Sequence, residues 1–268
     1  MIISASYDGV MTFTDRLFLA KVGSEQMNAS LAGGVALQML TFFFIGLIGY
    51  TTALSAQYMG AGEKHNSSRT TFQGILITLI AWPFIVLLKP YLGLLFDWLK
   101  TPESQIAYQL EYISVLAWGV GFTLLRHTSS CYFVGIGRTK IVMQATVAAM
   151  ITNVVLDYIL IFGKLGFQPM GITGAAIATV AGSVVATIIL FAAYFGHKNN
   201  IEFSVNKSFR FSPEIMKKLL YFGSPAGFEL FLNFIAFFFM VALFQSQSDV
   251  ASTAITIMFN WDMYLPKP

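Results

Sequence analysis

Long apolar runs follow one another through almost the whole chain. A helix needs roughly 20 mostly apolar residues to cross about 30 Å of hydrocarbon. Runs of that kind are read at 1–20, 32–59, 70–96, 107–135, 140–163, 172–196 and 216–246, and an eighth begins near Val250. Charged residues make up 11% of the chain and apolar ones 56%, whereas a soluble domain carries about 25% charged residues. So few charges could not cover a water-exposed surface. The expected fold class is therefore all-α, a polytopic transmembrane helix bundle.

The punctuation between the runs agrees with this. Thr101-Pro102-Glu103 and Ser212-Pro213-Glu214 each offer an N-cap oxygen, a proline at the first helical position and an acid in the first turn. Gly60-Ala61-Gly62 and Gly135-Ile136-Gly137 end helices where basic loops start. Lys21, Lys100 and Lys164 follow the first, third and fifth runs, with Lys89 able to snorkel to the same side. The other side carries Lys64, Arg69, Arg138, Lys140, Lys198, Lys207, Arg210, Lys217 and Lys218. Basic residues favour the cytoplasmic face, so the N-terminus is expected in the cytoplasm of a multi-pass cell-membrane protein. His197–Lys218, the longest hydrophilic stretch, then lies on that side.

Several function classes drop out. A net charge of +3 spread along the chain makes no case for nucleic acid. The one cysteine, Cys131, cannot build a disulfide framework or a thiolate cluster. His127 and Cys131 stand four apart, but two ligands without a third make a poor metal site. No glycine-rich loop sits in a nucleotide-binding strand–helix pattern. No enzyme signature and no cofactor are expected, so transport would draw on an ion gradient.

The informative residues are those that hydrocarbon makes expensive. An ionisable group at a helix centre costs about 2.5–3.5 kcal/mol on insertion scales and persists where it faces a bundle interior or a wet cavity. Asp8, Asp15, Arg126, Asp157 and Glu229 are of this kind, with Glu111 a turn inside its helix. Asn153 and Asp157, at i and i+4, share one helix face. An amide oxygen beside a carboxylate suits Na⁺ or a shared proton. The bland alternative for Asp157 is an interfacial pair with Lys164. Asp15 could bridge to Lys21, while Arg16, adjacent in sequence, points elsewhere on the helix. Glu229, one turn after Pro225, either lines a substrate path or snorkels. Gly171, Gly174, Ala175, Ala176, Ala178 and Gly182 would let their helix approach a neighbour closely.

At these motifs the chain resembles the multidrug and toxic compound extrusion (MATE) family. The resemblance is carried by Thr14-Asp15-Arg16-Leu17-Phe18, the stretch Thr51 to Gly62, Gly135-Ile136-Gly137-Arg138-Thr139-Lys140, Asn153-Val154-Val155-Leu156-Asp157, Gly171 to Thr179 and Gly223-Ser224-Pro225-Ala226-Gly227. It implies a first six-helix lobe over 1–196, a cytoplasmic linker over 197–215 and the start of a second lobe over 216–268. It further implies an antiporter that exports amphipathic or cationic small organic compounds in exchange for Na⁺ or H⁺, with membrane lipid around it. The cation site implied for the first lobe is Asp15, Asn153, Asp157 and Thr179. A flippase for lipid-linked sugars belongs to the same superfamily, and an inactive truncated fragment is the alternative from another class. Tyr158 stands where many relatives have proline, and Asn233 where some carry an acid, with Glu229 a turn earlier. Seven spans and part of an eighth are fewer than the twelve of such an exporter, as expected for a fragment.

Overall fold

The computed structural model describes residues 2–99 and 101–262, with side chains described for 9–99 and 101–260. The described residues form helices and no strand: α1 (Ile2–Val22), α2 (Ser24–Gly49), α3 (Thr51–Gly60), α4 (Lys64–Trp98), α5 (Glu103–Gly135), α6 (Thr139–Phe162), α7 (Gly171–Phe195), α8 (His197–Phe203), α9 (Pro213–Gln245) and α10 (Asp249–Asp262), with a 3₁₀ turn at Val205–Lys207. Five segments are long and apolar enough to cross a membrane: Ser24–Gly60, Lys64–Trp98, Thr139–Phe162, Gly171–Phe195 and Pro213–Gln245. The helices α1 and α5 match them in length, but Asp15 and Arg16 interrupt the first, and Glu111, Arg126 and His127 the second. The chain folds as the all-helical membrane bundle of a first six-span lobe followed by the opening helices of a second.

Most helices begin earlier than the apolar runs indicate, because polar first turns also coil. The second run, expected at 32–59, starts at Ser24 and is bent at Tyr50 into α2 and α3. At the bend His127 Nε2–H donates to the Ile45 carbonyl at 3.0 Å. That nitrogen also lies 3.5 Å from Cys131 Sγ, so the His127–Cys131 pair braces a helix bend, and no group of three His, Cys, Asp or Glu side chains gathers as a metal site among the described residues. The proline caps differ from expectation in detail. Pro102 is itself the N-cap of α5, whereas Pro213 opens α9 after Ser212, and neither cap residue closes a side-chain hydrogen bond. The expected stop at Gly60-Ala61-Gly62 does form. Gly62 takes φ +79, and Glu63 N–H reaches back to the Tyr58 carbonyl at 2.8 Å while Gly62 N–H reaches Met59 at 3.2 Å, the paired closure that a left-handed residue allows.

Small residues set the helix spacing. A Cβ on Gly46 would come within 2.6 Å of the Ala226 carbonyl and the Gly227 Cα, and one on Gly227 within 2.6 Å of the Phe43 carbonyl. Thus α2 and α9 run backbone against backbone, flanked by Phe42 stacked on Phe234. The helix α7 meets α6 in the same manner. A Cβ on Gly174 would touch the Leu160 and Ile161 backbone at 2.9–3.0 Å, and one on Gly182 the Ala149 carbonyl at 3.0 Å.

The segment after α7 is held against the ends of the bundle. Lys64 and Arg138 both pair with Glu202, the first at 3.0 Å, and both cations lie over the Phe203 ring at 5.9 and 5.4 Å. The hydrogen bond from Lys64, aided by the Arg138 charge, holds the Glu202 carboxyl below the ordinary carboxylate range against the opposing effect of desolvation.

Two outcomes are expected. Gly46→Leu should force α9 away from α2 and destabilise the fold by about 1–3 kcal/mol, the usual cost of overpacking, whereas Gly60→Ala, with open space around its Cβ, should change little; thermal unfolding in detergent measures both. Because the folded-state pKa of Glu202 is depressed, its contribution is complete above the unfolded carboxyl value and disappears as pH falls through the lower folded one. Protease cleavage between His197 and Pro213 should therefore rise on acidification in the parent, and Glu202→Gln should show the raised cleavage already at neutral pH.

Candidate functional site

The close approach of α7 to α6 places Thr179 opposite Asn153, and α1 packs along α6 in front of both. Three helices therefore meet at one polar point. Asp15 from α1 is 7% exposed, and Asn153 and Asp157 from α6 are fully buried. Thr179 Oγ1 donates to Asp15 Oδ2 at 3.2 Å and accepts from Asn153 Nδ2 at 3.5 Å. The i, i+4 spacing turns Asp157 to the same side as Asn153, and its carboxyl comes within hydrogen-bonding reach of Asp15 when one of the two holds a proton. All four residues named from the sequence thus lie together.

The electrostatics of this point are unusual. Asp15 Oδ1, Asn153 Oδ1 and both carboxyl oxygens of Asp157 are buried without a hydrogen-bond donor. Unpaired acceptors in a low-dielectric interior are costly, and two ionised carboxylates facing each other repel. A proton shared between them, or a hard cation on the oxygens, removes both costs. The donor set of carboxylate, amide and hydroxyl oxygens is of the kind that hard cations accept. The residues present fit Na⁺ or H⁺ by this measure.

Some expectations fall elsewhere. Asp157 makes no ion pair with Lys164, nor Asp15 with Lys21, among the described residues. The Asp8 side chain lies outside the described residues. Glu111 accepts from Thr173 near the start of α7, away from the site. Glu229 and Asn233 sit on the exposed side of α9 and do not join the group; of the most apolar stretch of that helix only 22% is buried. The surroundings hold two residues that the sequence did not single out. Arg16 and Tyr112 lie within electrostatic range of Asp15, and Arg16 Nη1 is buried with no partner. A cation beside the acids was visible in the sequence at position 16, but helix geometry argued only against a direct pair, and Tyr112 had no distinguishing signal.

The helix arrangement and the sequence both have counterparts. Residues 2–159 match the MatE family model. The probable multidrug resistance protein NorM of Synechocystis sp. is 28% identical over 258 residues, which is 92% of this chain and 55% of that one. Its namesake in Bacillus licheniformis is 29% identical over 249 residues, 88% of this chain and 54% of the relative. An inward-facing structure of a multidrug resistance MATE family transporter of the MOP superfamily superposes with a TM-score of 0.85 at 22% identity, over 95% of this chain and 57% of that one. The chain spans about half the length of the curated relatives it matches. With more than half of its residues inside the family model, and the fold of a solved member, the chain belongs to the MatE family, that of the multidrug and toxic compound extrusion proteins.

Proposed function

We propose that this chain forms the cation-handling lobe of a secondary antiporter that exports amphipathic or cationic organic compounds in exchange for Na⁺ or H⁺. The observation that carries the proposal is the buried pair Asp15–Asp157, joined to Asn153 and Thr179 across three helices, with four oxygens lacking any donor. Such a group is stable only with positive charge added. Uptake of Na⁺ or H⁺ draws α1 against α6 and α7; release leaves the acids repelling and loosens that contact. Each state would favour one opening of the cavity in the whole transporter, and an ion gradient drives the cycle because the cation has differential affinity for the two states. Glu229 and Asn233, on the exposed face of α9, are the proposed residues of the substrate path. The N-terminus is placed in the cytoplasm by the basic excess on the face that carries Lys64, Arg69, Arg138 and the linker.

Two measurements test this. In proteoliposomes, an imposed Na⁺ or pH gradient should drive movement of an amphipathic cationic dye, and Asp157→Asn should reduce the rate by roughly 5–150-fold, the range of ordinary coupling energies, while reaching the membrane normally. Undiminished transport by that variant would remove Asp157 from the mechanism. Cation binding is read separately. Na⁺, or acid if H⁺ is the coupling ion, should raise the unfolding temperature of the parent, and Asp15→Asn and Asp157→Asn should each abolish that rise.

A further inference from the structure

The segment that follows α8 forms, with the first turns of α4, a cleft of about 490 Å³ lined by His65, Arg69, Asn206, Lys207, Phe209 and Arg210. Its walls are fixed by several contacts. Gln73 donates to the Arg210 carbonyl at 3.0 Å and accepts from Ser212 N–H at 3.3 Å. Ser68 Oγ donates to the Phe203 carbonyl at 2.8 Å, and Phe209 packs edge-on against Phe72 and flat against Phe195. No carboxylate lines the cleft. The acids close by are already engaged: Glu63 by Asn66 at 2.7 Å, Glu202 by Lys64 and Arg138, and Glu214 by Lys218 at 2.8 Å, although the Glu214 charge also reaches Arg69. Within the cleft, Arg69 Nε and His65 Nδ1 are buried without hydrogen-bond partners. Three formal positive charges thus surround a space whose donors have nothing to bind.

We propose that this cleft binds the phosphate headgroup of an anionic phospholipid in the leaflet on the linker side. Guanidinium and ammonium groups make charge-assisted hydrogen bonds to phosphate oxygens, and basic clusters next to membrane spans attract anionic lipid. A lipid is the source, rather than free phosphate, because of what adjoins the cleft. An apolar groove of about 460 Å³ starts at Phe211, the residue after Arg210, and continues over Pro213, Met216, Leu220 and Tyr221 with Lys217 at its edge. Phe209 and Phe211 are 41% and 59% exposed. The cationic cleft and the greasy groove lie at the membrane-entry ends of α4 and α9, the depth at which a headgroup sits above its acyl chains.

The test titrates the full chain, delipidated in detergent, with short-chain phosphatidylglycerol, with phosphatidylcholine of the same chains and with inorganic phosphate, and counts bound ligand by native mass spectrometry. Phosphatidylglycerol should bind in preference to phosphatidylcholine. Lys207→Gln/Arg210→Gln should weaken it roughly 30-fold, at about one factor of five for each basic residue at a membrane surface. Both side chains are exposed on the linker, so folding is not at stake. Lys140→Gln/Lys198→Gln, which removes equal charge from exposed positions outside the cleft, should leave binding unchanged. Equal binding of the two lipids, an equal loss in the control variant, or inorganic phosphate binding as tightly as the lipid would each overturn the proposal.

Discussion

The contact on which the site depends is the backbone approach of α7 to α6. Only small side chains allow it: Gly174 rests on the Leu160–Ile161 backbone and Gly182 on the Ala149 carbonyl. Hydrocarbon supplies little hydrophobic drive between helices, so membrane helices associate through close packing and interhelical hydrogen bonds. Here the first makes the second possible. Thr179 can bridge Asn153 and Asp15 only because the two helices stand close enough for one hydroxyl to reach both. The carboxylates are thereby held at a spacing where their mutual repulsion is felt, and where an added positive charge is worth most.

The two ends of the first lobe are finished differently from its middle. Within the bilayer, threonine and serine hydroxyls largely return to carbonyls of their own helix, as Thr78, Thr128, Thr146 and Thr187 do. At the linker face, polar side chains reach instead to other segments: Gln73 to both sides of Phe211, Ser68 to Phe203, Tyr132 and Arg138 to Asn199. The buried Asn199 and Phe203 tie α8 into the core formed by α5, α6 and α7. A stretch that reads as a polar connector is thus a fitted part of the lobe, and its one acid, Glu202, is shared by cations from two different helices.

The fold class was legible because hydrocarbon tolerates few charges, and the spans follow from length alone. Their ends were less so, since His65, Asn66 and Ser67 coil as readily as the apolar residues that follow them. The break at Tyr50 carries no proline to announce it, and depends on a side chain from α5 to brace the Ile45 carbonyl. For the site, i, i+4 spacing placed Asn153 beside Asp157, and the rarity of membrane acids pointed to Asp15. Nothing local marks Thr179, which entered by family resemblance and not by its own chemistry. The linker-side cleft escaped sequence reasoning altogether, because it joins the start of α4 to residues more than a hundred positions later, and linear spacing says nothing about such pairs.

The glycine seam between α2 and α9 has a consequence for biogenesis. The face of α2 around Gly46 leaves the ribosome long before Gly223 and Gly227 are made, and at roughly 5–20 residues per second that interval is on the order of ten seconds or more. During it, a strip of bare backbone on an inserted helix has no native neighbour. Lipid chains or a membrane insertase must shield that strip until α9 arrives, which makes the emergence of α9 the moment at which the nascent bundle first closes on itself.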